Sequence, residues 1–269
     1  MIREQVKLVD VVIELLDARI PVSSANPVVA DLVGSKPRLI VLNKADLAEP
    51  AVTRQWVEYF SRRNIPALTL NAVTGEGTKE LVKRVEQLAS DRINALIAKG
   101  IRPRPVRAMI VGIPNVGKSS LVNRLLGVAK TRTGNKPGVT RGQQWLKIGR
   151  NLELLDTPGI LWPKQDDQEV AFKLAVTGAI NDDVYVLEDV IMRLLNILRA
   201  KYPNRLQARY NLPDPLPQDN ETLLALIGER RGCLRAGGAV DYEKVGRIIL
   251  TELRAGKLGP FTLDDIPEE

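Results

Sequence analysis

A chain of 269 residues, 44% hydrophobic and 26% charged, has the proportions of a soluble, folded protein of one or two domains and excludes a largely disordered one. Its single cysteine, Cys233, excludes an internal disulfide, and the absence of histidine excludes an ordinary zinc site and imidazole catalysis. A net charge of +7 points towards an anionic partner.

The opening "MIREQVKLVDVVIELLDAR" mixes acids into every apolar stretch. It therefore reads neither as a signal peptide nor as a spanning helix, and a cytoplasmic address without membrane contact is expected. The run 8–19 is the first of several apolar segments that end in polar or glycine-rich motifs, the pattern of buried parallel strands feeding functional loops. "DARIPVSSANP" (17–27) follows it and reads as a structural turn with no assigned chemistry.

The second run, "RLIVLNKAD" (38–46), ends in the NKxD motif of guanine-binding sites. Asp46 would pair with the guanine N1–H and 2-amino groups, while Asn43 and the Lys44 stem fix ring and loop. Adenine offers no such donors, and a buried polar mismatch costs on the order of several kcal/mol, so GTP and GDP are the expected ligands. Pro50 opens a predicted helix to about Arg63. The strand "PALTLNAVTG" (66–75) then brings Asn71 and Ala72 to the same end, with the Ala72 backbone expected near the guanine oxygen. A long helix is predicted from about Thr78 to Lys99.

"RAMIVGIPN" (107–115) runs into "GIPNVGKSS" (112–120), a phosphate loop in its required setting of strand before and helix after. Backbone N–H groups of Asn115, Val116, Gly117 and Ser120 would wrap the phosphates. Lys118 would reach the β and γ oxygens, and Ser119 would ligate Mg2+. The following helix is predicted from Gly117 to about Leu126. Thr140, in "NKPGVT", is the candidate switch threonine for Mg2+ and γ-phosphate, with Thr131, Thr133 and Thr157 as rivals. "QQWLKIGRN" (143–151) alternates and predicts an antiparallel edge strand turned at Gly149 to Asn151. "LELLDTPG" (152–159) supplies Asp156, expected to hold Mg2+ through water, and Gly159, expected to sense γ-phosphate. The next residue, Ile160, cannot hydrogen-bond water, so slow intrinsic hydrolysis is expected, with a K+ ion, another element or a partner positioning the nucleophile.

Strands alternating with helices predict a doubly wound, mostly parallel α/β sheet over 1–164, with its ligand at the carboxyl ends of the strands. Residues 165–269 read as a smaller all-helical domain, with helices near 168–180, 186–201, 220–230 and 241–255. Residues 92–150 carry thirteen Lys or Arg and no acid, more than a nucleotide needs, so RNA is the expected second anion. Arg230, Arg231, Arg235, Lys244, Arg247, Arg254 and Lys257 form another candidate RNA face.

The order NKAD, NAVTGEG, GIPNVGKSS, PGVT, DTPG resembles the circularly permuted GTPases. "DARIP", "QQW", "LLDTPGILWPK", "AVTGAI" and "RGC" make the chain resemble the ribosome biogenesis GTPase A family almost end to end. That resemblance implies late assembly of the large (50S) ribosomal subunit, GTP-dependent binding to its precursor, and rRNA contact by the helical domain. A monomer off the ribosome, with no DNA partner, is expected. The family's opening segment, with a histidine implicated in hydrolysis, has no match here. "MIREQVKLVD" resembles the interior of the family's first helix, so a shortened N-terminus is expected and no general base is assigned. The alternative is a nucleotide-gated module acting on a non-ribosomal protein or a membrane.

Overall fold

The computed structural model describes residues 2–127, 145–155 and 167–267, and forms two compact units. The first comprises 1–164 together with 262–269; the second comprises 165–261. Thr140, Asp156 and Gly159 lie outside the described residues.

The first unit is built on six strands: β1 (Val11–Asp17), β2 (Arg38–Asn43), β3 (Ala67–Leu70), β4 (Val106–Val111), β5 (Trp145–Ile148) and β6 (Leu152–Leu155). They lie in the order β3-β2-β1-β4-β6-β5. All neighbours are parallel except β5, which pairs antiparallel to β6. Every residue of β1 is buried, so its sequence is mostly apolar on both faces, and its two acids are paired, Glu14 with Arg38 and Asp17 with Arg19 and Lys44.

Seven-residue helices α1 (Ile2–Leu8) and α2 (Pro27–Val33) flank β1, and longer helices α3 (Pro50–Arg62), α4 (Thr78–Ala98) and α5 (Lys118–Leu126) follow. The chain winds from β1 through β2 to β3 in one direction and then jumps back to β4 on the other side. Right-handed connections therefore put α2 and α3 on one face and α4 on the other. The first face carries Val12, Met109 and Val111 against Val6, Val29 and Val33, and Leu16, Ile40 and Leu42 against Trp56 and Phe60. The buried stripe Leu81, Val85, Ala89 of α4 meets β4 and β1.

Two departures from the sequence reading concern short elements. The segment 8–19 opens with Leu8 still in α1, and the strand begins only at Val11. The turn-like segment 17–27 runs into α2, whose cap Asn26 accepts from the Val28 amide at 2.9 Å, with Pro27 at the first helical position.

The amino end of the sheet is pinned by Asp10, which is fully buried. Arg104 grips its carboxylate at 2.7 and 2.9 Å, Arg92 approaches at 3.1 Å and the Arg107 amide donates at 2.9 Å. Burial pushes this carboxyl up, but the hydrogen bonds from Arg104 and Arg107 and the charges of Arg104 and Arg92 outweigh it and hold it below its ordinary value.

The second unit is helical: α6 (Gln168–Thr177), α7 (Leu187–Lys201), α8 (Pro203–Tyr210), α9 (Asn220–Arg230) and α10 (Tyr242–Arg254). Asp167, Asp219 and Asp241 cap α6, α9 and α10 through their side chains. The eight-residue α8 was not anticipated, being too short to show a period. Arg254 donates to the terminal carbonyls of α6 at Ala175 (2.6 Å) and Val176 (3.1 Å) and pairs with Asp182 at 2.9 Å. Glu252 takes Arg209 at 2.6 Å and Arg231 at 2.9 Å. Four of the seven bases expected to form an RNA face thus have acidic partners, since Arg235 pairs with Asp241 and Arg247 with Glu243.

The second unit does not run to 269, as the sequence reading had it. Residues 262–267 return to the first unit, where Leu263 donates to the Arg19 carbonyl at 2.9 Å and Ile266 packs on the Trp56 cluster. The cause is local: the loop after β1 offers backbone donors that the tail's Asp264 satisfies. Among the described residues, no helix is long and apolar enough to cross a membrane.

Asp10→Asn keeps the volume but removes the acid facing Arg104 and Arg92, and should cost about 2–3 kcal/mol in urea unfolding at neutral pH. A carboxyl lowered by folding contributes fully above its ordinary value of 3.8 and ceases to contribute as pH falls through its folded value. The stabilities of wild type and variant should therefore converge in acid.

Candidate nucleotide site

β4 ends at Val111, and the chain turns through Gly112–Gly117 into α5. The loop presses on β1: a Cβ at Gly112 would lie 2.6 Å from the Leu15 carbonyl oxygen. Gly117 takes φ +106°, a region L side chains avoid, and a Cβ there would collide with the Asn43 side chain. These positions need glycine for two reasons, close approach and backbone sign. The first amides of α5 have no acceptors within the helix, and a helix N-terminus of this kind is suited to receive phosphate.

Lys118 folds back over this loop, its Nζ donating to the carbonyls of Gly112 (2.8 Å) and Ile113 (2.6 Å). Burial, which strips hydration from the charged form, pushes its ammonium down to about 8. Ser119 is exposed in the first turn of α5 beside half-buried Ser120. Of the residues expected to hold Mg2+, Ser119 alone falls within the described part. Its exposed hydroxyl beside the phosphate loop fits a cation held mainly by phosphate and water.

The base-reading motif arrives at the same edge by strand register, since Asp17 stands opposite Asn43 and Asn43 opposite Leu70. Asn43 is buried and fully used. Its Nδ2 donates to the Val116 carbonyl at 2.8 Å, and its Oδ1 accepts from the Ala72 amide at 3.0 Å. One side chain thus ties phosphate loop, β2 and the loop after β3. Asn71 closes that last loop on itself, accepting from Val73 at 2.9 Å and Thr74 at 3.1 Å. Arg124 of α5 donates to the Val73 carbonyl. The Ala72 amide is committed to Asn43 instead of projecting towards a ligand.

Lys44 is held at φ +59° and donates to Asp17 Oδ2 at 2.9 Å. Asp46 lies exposed in the short 3-10 turn Ala45–Leu47. Asp17 also receives Arg19, Nε at 2.9 Å and NH2 at 2.7 Å. Burial alone would push the Asp17 carboxyl up, but Arg19 and Lys44 together hold it well below the usual carboxylate range. Sequence reasoning left Asp17 and Arg19 out of the site. The signal was available in their place, at the end of a buried strand in register with the one carrying NKAD.

The turn through Gly112–Gly117 and the NKAD turn therefore meet at one end of the sheet although they come in the reverse of the usual chain order, the fold of a circularly permuted GTPase. Known proteins agree. A family model described as 50S ribosome-binding GTPase matches residues 107–210. Ribosome biogenesis GTPase A of Bacillus cereus is 50% identical over 268 residues, covering 100% of this chain and 90% of that protein. Its counterpart in Priestia megaterium is 49% identical over 268 residues, covering 99% and 93%. Among solved structures, GDP-bound TM YlqF superposes with a TM-score of 0.71 at 27% identity, covering 98% of this chain and 97% of that one. GNP-bound YlqF from Thermotoga maritima gives 0.68 at 27%, covering 97% and 94%. The chain belongs to the ribosome biogenesis GTPase A family. It is a GTPase of ribosome biogenesis, binding GTP and GDP.

Free Lys118 loses its proton near pH 8, whereas phosphate favours the charged form, so binding should take up a proton above that pH. GDP affinity, measured by titration calorimetry, should be level below about pH 7 and fall up to about tenfold per unit well above 8.

Proposed function

We propose that this chain binds precursors of the large (50S) ribosomal subunit and their rRNA in its GTP state, late in maturation, and leaves on hydrolysis. In this reading Asp46 reads guanine, Lys118 and the amides of Asn115 to Ser120 hold the phosphates, and Ser119, Thr140 and Asp156 hold Mg2+. Thr140 and Gly159 respond to the γ-phosphate. A Mg2+ ion held there would supply charge neutralisation for the phosphates. Ile160 leaves the attacking water unoriented, so turnover is slow until the ribosome, or a K+ ion, completes the site. The protein works in the cytoplasm as a monomer, away from membranes and DNA.

The observation that carries the polyanion reading is where the acid-free stretch leaves its charge. Arg92 and Arg104 are taken by Asp10, Arg107 by Glu153, and Lys118 and Arg124 by loop carbonyls. Lys99, Arg102, Lys147 and Arg150 remain exposed. The Val106 amide donates to the Asn151 carbonyl at 2.8 Å, so Arg102 and Arg150 lie towards the end of the sheet where β4 begins. That end is opposite the phosphate loop. Nucleotide and rRNA would then occupy opposite ends of the sheet.

Co-sedimentation with precursor large subunits tests this. Binding should be stronger with a non-hydrolysable GTP analogue than with GDP, and should fall about 100-fold between roughly 50 and 200 mM salt if about four phosphate contacts form. Arg102→Glu with Arg150→Glu should weaken ribosome binding and leave GDP affinity unchanged. Equal binding in both nucleotide states, insensitive to salt, would favour the gated module with a non-ribosomal target.

A further inference from the structure

The tail that returns at Thr262 lands on the two loops that flank the NKAD turn. Thr262 Oγ1 accepts from the Glu49 amide at 3.2 Å, just after the turn. Leu263 donates to the Arg19 carbonyl at 2.9 Å. Asp264 takes three donors from the loop after β1: the amides of Val22 and Ser23, each at 2.8 Å, and the Ser23 hydroxyl at 2.7 Å. All three tail residues are buried. The same loop is tied back to its strand, since the Asp17 amide donates to Ser24 Oγ at 3.0 Å.

We infer that Asp17, Arg19 and Asp264 are positioning residues for guanine recognition, with residues 262–264 acting as a strap across the loops that hold Lys44 and Asp46. The inference rests on reading Asn43 to Asp46 as the guanine-binding turn. Lys44 occupies a left-handed backbone conformation that a non-glycine residue adopts only when its surroundings impose it. Its ammonium is anchored at Asp17, which stretches the apolar stem into a shelf for the purine face. Asp17 is oriented in turn by the bidentate Arg19, whose carbonyl and following loop are fixed by the strap. Slackening the strap therefore frees the shelf and the adjoining Asp46 carboxylate without touching the phosphate loop. This gives "DARIP" a role that the turn reading lacked.

The test compares GDP with inosine diphosphate, which lacks the 2-amino group that Asp46 would pair. Affinities are measured on the full chain as wild type, Asp264→Asn and Thr262→Val. Asp264→Asn removes the charge and can set an NH2 group against the Val22 and Ser23 amides, which only donate, and Thr262→Val removes one acceptor while keeping the shape. Each variant should lose GDP affinity and reduce the preference for GDP over inosine diphosphate by about fivefold or more. A purely structural role would weaken both ligands equally. An unchanged preference in a variant that melts like wild type overturns the inference and leaves the base-reading assignment standing. If wild type itself shows no preference for GDP, the assignment fails and the strap's role fails with it. Should Asp264→Asn fail to fold, Thr262→Val decides alone.

Discussion

The side-chain amide of Asn43 holds the site together. It donates to the phosphate loop at Val116 and accepts from the loop after β3 at Ala72, all in a buried setting. A buried amide with both ends satisfied is stable, whereas one left half-satisfied costs the full desolvation of the orphaned group. The three loops are thus locked at a common spacing. Gly117 has no room for a side chain because the same amide fills that place. The positive φ at Lys44 and the buried Asp17–Arg19 pair are the neighbouring consequences of packing polar groups so closely at the end of a sheet.

Chain order matters little to this lock. In a parallel sheet all carboxyl ends share one edge, so a strand may come early or late in sequence and still deliver its loop there. Here β2 and β3 deliver the NKAD and NAVTG loops first, and β4, on the other side of β1, delivers the GIPNVGKSS loop afterwards. The reversal changes where the ends of the unit lie. The chain leaves for the helical unit after residue 164 and comes back at 262, beside the turn that carries NKAD.

Much of this was legible because apolar runs ending in loop motifs are a strong signal. The runs 38–46, 66–75 and 107–115 became β2, β3 and β4 with their motifs at the expected ends, and the alternation at 143–151 became the antiparallel β5. The helices α2 and α8 were missed because seven or eight residues show too little period. Pair partners were also invisible. Nothing in the charge count reveals that Arg92 and Arg104 converge on Asp10, or that Arg254 caps α6, so the free basic surface looked larger than it is. The docking of Asp264 on Ser23 spans 241 residues, and such contacts have no local pattern.

The central claim is that a motif placed early in the chain reads the base of a nucleotide whose phosphates are held by a loop placed later. Asp46→Asn tests it most directly, because xanthine presents an oxygen where guanine presents the 2-amino group. An asparagine amide can donate to that oxygen and can no longer accept both guanine donors. The affinity for GDP should fall at least about 100-fold, and xanthosine diphosphate should become the preferred ligand. GDP affinity equal to that of wild type in the folded variant would contradict the assignment of the site.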